Sequence, residues 1–230
     1  MTLSQKLTRR FRQAAAETDG IDEAVYDRYN KDPLTPIIGL GRKDLRVGIF
    51  GRDPGRDEVK YGEAFIGAGG QLVRRALYEC LYQTAMPDFE ASKAVGEHVF
   101  WANTVPYKPV GNKAWSMAVK RRFHPLVRTL LIDYWEGDAL ITLGREAFFW
   151  FGIDQSKAVR TQLEAFWRQD DRFERQCEIT LSDEEGRSRT LTLYPLPHPS
   201  PLNQTWYKRF PGLLTQRLEQ VGLTLEAATR

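Results

Sequence analysis

Cysteine is nearly absent: of 230 residues only Cys80 and Cys177 carry a thiol. Two thiols make neither a disulfide framework nor a four-thiolate metal site. A reducing compartment, the cytoplasm, is the expected location. Long apolar runs are missing too, and none approaches the roughly 20 residues of a membrane span, so no membrane partner is expected. The first 20 residues hold an apolar stretch too short for a signal peptide, and their pattern predicts an amphipathic helix. Internal repeats and low-complexity tracts are absent. So are a Gly-x-Ser-x-Gly elbow and any cluster with metal-ligand spacing. These gaps disfavour Ser-hydrolase chemistry, and no metal or other cofactor is expected. A strong charge bias is also lacking. The formal net charge of +3 permits an acidic partner such as nucleic acid without requiring one.

What is present suits a globular protein: 42% hydrophobic and 27% charged residues suffice for a sizeable core. The length fits a single domain over residues 1–230, with residues 1–40 as a helical extension. Apolar runs predict strands over 46–50, 98–102 and 139–143. A hairpin is expected from 178–181 and 189–193, its second arm becoming the fourth main strand. Helices are expected over 2–30 with breaks near Gly20 and Asn30, over 71–83, and over 115–135 with an interruption near Pro125. Two more are expected over 145–151 and about 204–220, while 86–91 reads as a loop. Cys80, among apolar neighbours on the 71–83 helix, reads as a core thiol. Strands alternating with helices imply a three-layer α/β/α sandwich around a central, mainly parallel four-stranded sheet.

Three of these strands end in polar loops punctuated by Gly or Pro. Asp53 follows the first, in Gly51-Arg52-Asp53-Pro54-Gly55, Asn103 the second and His198 the fourth. Parallel strands joined by crossovers put these ends on one edge of the sheet, where ligands bind in such folds. Asp53, Asn103 and His198 are therefore expected to converge. Phe65, in a second Gly-bounded segment, adds a flat apolar surface for something flat and polar. Each residue also has a plainer use: a solvated turn Asp, an Asn ending a strand, a His held between prolines, a core Phe.

These loops, in this order, resemble the uracil-DNA glycosylase superfamily. Residues 51–55 look like its first motif, Gly-Gln-Asp-Pro-Tyr in family 1 and Gly-Glu-Ala-Pro-Gly in family 4. The run His198-Pro199-Ser200-Pro201-Leu202-Asn203 looks like the family-1 motif His-Pro-Ser-Pro-Leu-Ser. Residues 62–77, Gly-Glu-Ala-Phe-Ile-Gly-Ala-Gly-Gly-Gln-Leu-Val-Arg-Arg-Ala-Leu, are closer to family 4. The strand end at Asn103 and the strand over 139–143 fit as well. The resemblance spans about residues 46–203 and includes none of the first 40. It implies uracil-containing DNA, single- or double-stranded, as partner, a monomer as working form, and hydrolysis of the uracil N-glycosidic bond.

The resemblance also implies roles. Asp53 would hold a water beneath the sugar and offset its developing positive charge. His198 would donate a hydrogen bond to uracil O2. Asn103 would read the base edge, Phe65 would stack on the ring, and the backbone of Gly51 and Arg52 would face O2. Pro199 and Ser200 would pinch DNA phosphates, and Leu202 would wedge into the stack left by the flipped base. Three departures stand out. The four cysteines of the family-4 iron–sulfur cluster are not here. Arg52 replaces Gln or Glu. Gly55 replaces the Tyr that excludes thymine in family 1, so that wall is expected to come from elsewhere, with Glu58 and Tyr61 as candidates, or to be incomplete. The run Lys120-Arg121-Arg122-Phe123-His124 resembles a basic loop in a branch that becomes covalently attached to DNA, but it falls on a helix and is expected to be a solvated face.

Overall fold

The computed structural model describes residues 2–200 and 204–225. Its elements run α1 (Gln5–Ala16), α2 (Glu23–Arg28), β1 (Val47–Gly51), α3 (Arg56–Tyr61), α4 (Ala68–Tyr82), α5 (Phe89–Val95) and β2 (Phe100–Asn103). Then come α6 (Met117–Asp133), β3 (Ala139–Leu143), α7 (Arg145–Trp150), α8 (Lys157–Trp167), β4 (Cys177–Ser182), β5 (Ser188–Leu196), α9 (Gln204–Tyr207) and α10 (Phe210–Gln220). The strands form one sheet in the order β2-β1-β3-β5-β4. The pairs β1–β2, β1–β3 and β3–β5 are parallel, and only β4–β5 is antiparallel.

The apolar runs explain the layering. Every residue of β1, β2 and β3 is buried, which requires cover on both faces of the sheet. Helices supply it through residues such as Leu77 of α4, Leu130 of α6, Phe148 of α7 and Leu214 of α10. β4 instead alternates buried Ile179 and Leu181 with exposed neighbours, as an edge strand does. The sheet thus has five strands rather than four. The hairpin arm at 177–182 hydrogen-bonds to β5 and so joins the sheet as its antiparallel edge.

Other differences have local causes. α6 runs unbroken through Pro125. Proline leaves the Arg121 carbonyl without its helical donor, but burial of Phe123, Leu126, Val127, Leu130 and Leu131 holds the turn together. The expected loop at 86–91 contains the start of α5, whose N-cap Asp88 accepts from the Ala91 amide at 2.8 Å. The expected last helix is two helices, with Pro211 in the first turn of α10. Cys80 is half-buried rather than in the core, its thiol 3.8 Å from the Leu223 carbonyl.

The N-terminal segment is stitched to the loop after β2. Ile21 bridges Pro109, the Asp22 amide donates to the Lys108 carbonyl at 3.0 Å, and the Val110 amide to the Gly20 carbonyl at 2.9 Å. Lys108, almost fully buried, pairs with Asp22 at 2.7 Å.

Candidate active site

The chain passes from β1 to β2 on one side and then to β3 on the other. The crevice at the carboxyl ends of β1 and β3 is therefore the switch point where open α/β sheets bind ligands. A cavity of about 760 Å³ opens there. Its walls include Gly51 to Glu58, Phe65, the first turn of α4, and His198 to Ser200.

Asp53 sits two residues past β1 with its side chain only 2% exposed. Arg52 Nε donates to both of its carboxylate oxygens, at 3.0 and 3.1 Å. Arg52 Nη2 donates to the Asn112 carbonyl at 2.9 Å. Burial pushes the Asp53 carboxyl up to about 6, against the pull of the Arg52 charge. Lys120 lowers it further and Glu146 raises it, both as smaller effects.

His198 follows β5 and is exposed within the cavity. Gly144, after β3, has φ +90°, and a Cβ there would lie 3.0 Å from the His198 Cβ. That glycine lets the two strand ends approach. The walls around His198, and secondarily the Arg52 charge, hold its imidazole below its usual value. It is neutral at pH 7 and can still donate through one ring nitrogen. The His198 carbonyl accepts from the Ser200 amide at 2.9 Å. Pro199 and Ser200 line the cavity beside the first turn of α4. Leu202 lies outside the described residues.

Phe65 is half-buried, with its ring 5.0 Å from Trp101. It packs directly on Gly51, where a Cβ would come within 2.6 Å of the ring. Only glycine fits beneath it. Asn103 pairs with Gly51 in the sheet and is buried, 3% exposed. It lies behind Gly51, its Oδ1 3.1 Å from where a Cβ would stand, and is not itself part of the cavity wall. Asp53, Phe65 and His198 thus meet around one cavity, with Asn103 at its back.

Glu58, foreseen only as a wall candidate, and Arg74 shape this site in ways that sequence reasoning missed. Glu58 accepts the Gly55 and Gly67 amides, both at 2.9 Å, and so clasps the two glycine loops together. Its position three residues after Gly55, at a helix start, is a capping-box spacing and was the available signal. Arg74 is 1% exposed and donates to the carbonyls of Phe65 (2.8 Å), Ala64 (2.6 Å) and Ser92 (2.6 Å). It fixes the segment in which Phe65 holds φ +55°. Nothing in the sequence separates Arg74 from a surface arginine.

The two candidates for a thymine wall are otherwise placed. Tyr61 is exposed, packs at a tilt against Phe89 with ring centres 5.0 Å apart, and does not line the cavity. Glu58 does line it, but its carboxylate is taken by the clasp. Asp57 pairs with Arg56 on the surface. The basic run on α6 is not a solvated face either. Lys120, Phe123 and His124 are buried, as helical spacing turns them inward together. Lys120 pairs with Glu146, and the His124 ring packs 4.4 Å from Trp150. Only Arg121 and Arg122 remain exposed.

Cys80 on α4 and Cys177 on β4 are separate thiols, which does not fit the four-thiolate set an iron–sulfur cluster needs. Among the described residues no group of three His, Cys, Asp or Glu side chains could hold a metal ion.

A family model described as the uracil DNA glycosylase superfamily matches residues 38–222. That span begins before β1 and ends after α10, so it takes in the whole sheet and every wall of the cavity except Val25. The chain belongs to the uracil-DNA glycosylase superfamily.

Proposed function

We propose that the protein excises uracil from DNA by hydrolysing its N-glycosidic bond, leaving an abasic site and free uracil. Membership of the superfamily supports DNA as the partner and DNA glycosylase chemistry. The observation that carries the finer reading is a nearly enclosed carboxylate, Asp53, opening into the same cavity as His198 and Phe65.

A nucleotide must leave the duplex to enter such a pocket. Phe65 offers a ring face for stacking, and in this reading the Asn103 amide, which lies behind Gly51 and off the cavity wall, reaches the base edge once the pocket is occupied, accepting from N3–H and donating to O4. As the bond from C1′ to N1 breaks, its electron pair moves to the base and the sugar becomes cation-like. His198 donates a hydrogen bond to O2, where negative charge grows. Asp53 offsets the charge on the sugar and takes a proton from the water that attacks C1′. A value of about 6 leaves Asp53 mostly ionised at pH 7 yet basic enough for this step. Pro199 and Ser200, which line the cavity, and Leu202 serve as DNA contacts in this reading, and the working form is a monomer in the cytoplasm.

The second reading is a catalytically weak uracil or lesion binder on the same fold. The contact of Arg52 with both oxygens of Asp53 favours it. Uracil-containing single- and double-stranded oligonucleotides, treated with the protein and then alkali, separate the two. Strand breakage at uracil supports the first reading. Retention of the oligonucleotide without breakage supports the second, and neither result would leave both without support.

A further inference from the structure

We propose that Arg52 is a positioning residue: it orients Asp53 and keeps it ionised, rather than contacting the base with its side chain. The inference rests on the reading of Asp53 as the catalytic carboxylate. Arg52 Nε is nearly equidistant from the two Asp53 oxygens, and Nη2 is anchored on the Asn112 carbonyl. The guanidinium is thus held at both ends, with its single Nε–H shared between the oxygens. Each oxygen keeps a lone pair with which to accept from water. Thr104 steadies the same turn from β2's end, its hydroxyl donating to the Arg52 carbonyl and its amide to the Gly51 carbonyl at 2.9 Å.

The charge matters because of where Asp53 lies. A carboxyl group this enclosed favours its neutral form, which cannot take a proton from water. Arg56, Asp57, Glu58 and Lys108 share its cavity, and the charges that act on it are Arg52, Lys120 and Glu146. Lys120 of α6 is bound to Glu146 of α7, so their effects on Asp53 oppose each other. His198, after β5, is neutral at pH 7. Arg52 spends its other arm on a carbonyl, which leaves its charge to act on Asp53. A Gln or Glu at this position could supply a hydrogen bond or a negative charge, but not this positive one.

The test is the pH profile of single-turnover uracil excision, with the titration of the Asp53 carboxyl carbon followed by NMR in the free protein. The wild type is expected to lose activity as pH falls through about 6. Arg52→Gln is expected to move that acidic limb, and the Asp53 titration, upward by about 1–3 pH units, with activity regained at higher pH. Arg52→Lys keeps the charge and should stay closer to wild type than Arg52→Gln does. A rate lowered equally at all pH values, with the Asp53 titration unmoved, would overturn the proposal. So would an Arg52→Lys shift as large as that of Arg52→Gln. Arg52→Met, also uncharged, serves if Arg52→Gln does not fold. The NMR titration needs no turnover. If the wild type excises no uracil, the functional reading fails while the claim about Arg52 is still decided.

Discussion

At the scale of single residues, Asp53 costs stability and supplies chemistry. Its folded value of about 6 exceeds the ordinary 3.8, so the folded state binds the proton more tightly than the unfolded chain. The cost of keeping it ionised is full above about pH 6 and gone below 3.8. Asp53→Asn is therefore expected to raise stability at pH 7 by up to about 3 kcal/mol, less whatever Arg52 loses. That gain should shrink as pH falls from 6 to 4 in thermal melts. The same variant should lower uracil excision by several orders of magnitude while uracil-DNA binding persists, since it keeps shape and removes charge. Asn103→Asp is expected to gain measurable cytosine excision, because a protonated carboxyl can donate to N3 and accept from the cytosine amino group. An inert variant in a cytosine-oligonucleotide assay would remove Asn103 as the base reader. Asp53, Asn103 and His198 were legible because a polar residue just past an apolar strand has a fixed place in a parallel sheet. The clasp of Glu58 and the buried fork of Arg74 were not. Charged side chains read as solvated by default, and what holds Arg74 in the interior is the Glu63 carboxylate with carbonyls from two segments, Ala64–Phe65 and Ser92.

At the scale of elements, the four parallel strands were legible from their apolar runs, and their order of contact was not. Nothing in the sequence states that β1 lies between β2 and β3, the arrangement that opens the crevice. α3, only six residues long, offers little helical period, whereas α8 does carry a signal in its Ser156 N-cap and in Val159, Leu163 and Phe166 at helical spacing. The segment from α3 to α4 that carries Phe65 depends on α4 through Arg74. Arg74→Met removes the donor to the Ala64, Phe65 and Ser92 carbonyls and the ion-pair partner of Glu63, 2.8 Å away. We expect a loss of about 3–5 kcal/mol, the range for breaking one side of a buried charged network, read as a lowered denaturation midpoint. Tryptophan emission should change with it, since Arg74 lies over the Trp101 ring at 4.8 Å.

At the scale of the whole molecule, the site is assembled from both ends of the chain. Val25 of α2 lines the cavity although it precedes the family-matched span, and His198 closes it from the far side. Leu7, Phe11 and Tyr26 are buried in the common core, so the first 37 residues are structural members of the fold. A polypeptide begun at residue 38 is expected to melt at lower temperature and to lose its pocket wall, as calorimetry and ligand titration would show. The crossed bonds between Asp22 and Lys108 and between Val110 and Gly20 carry one more consequence. Their two amides, 88 positions apart, lie on opposite sides of one seam and become open to solvent deuterons only when that seam parts. In native-state hydrogen exchange they should therefore report one shared opening free energy. Unequal values would mean that the two bonds open in separate local events rather than with the seam as a whole.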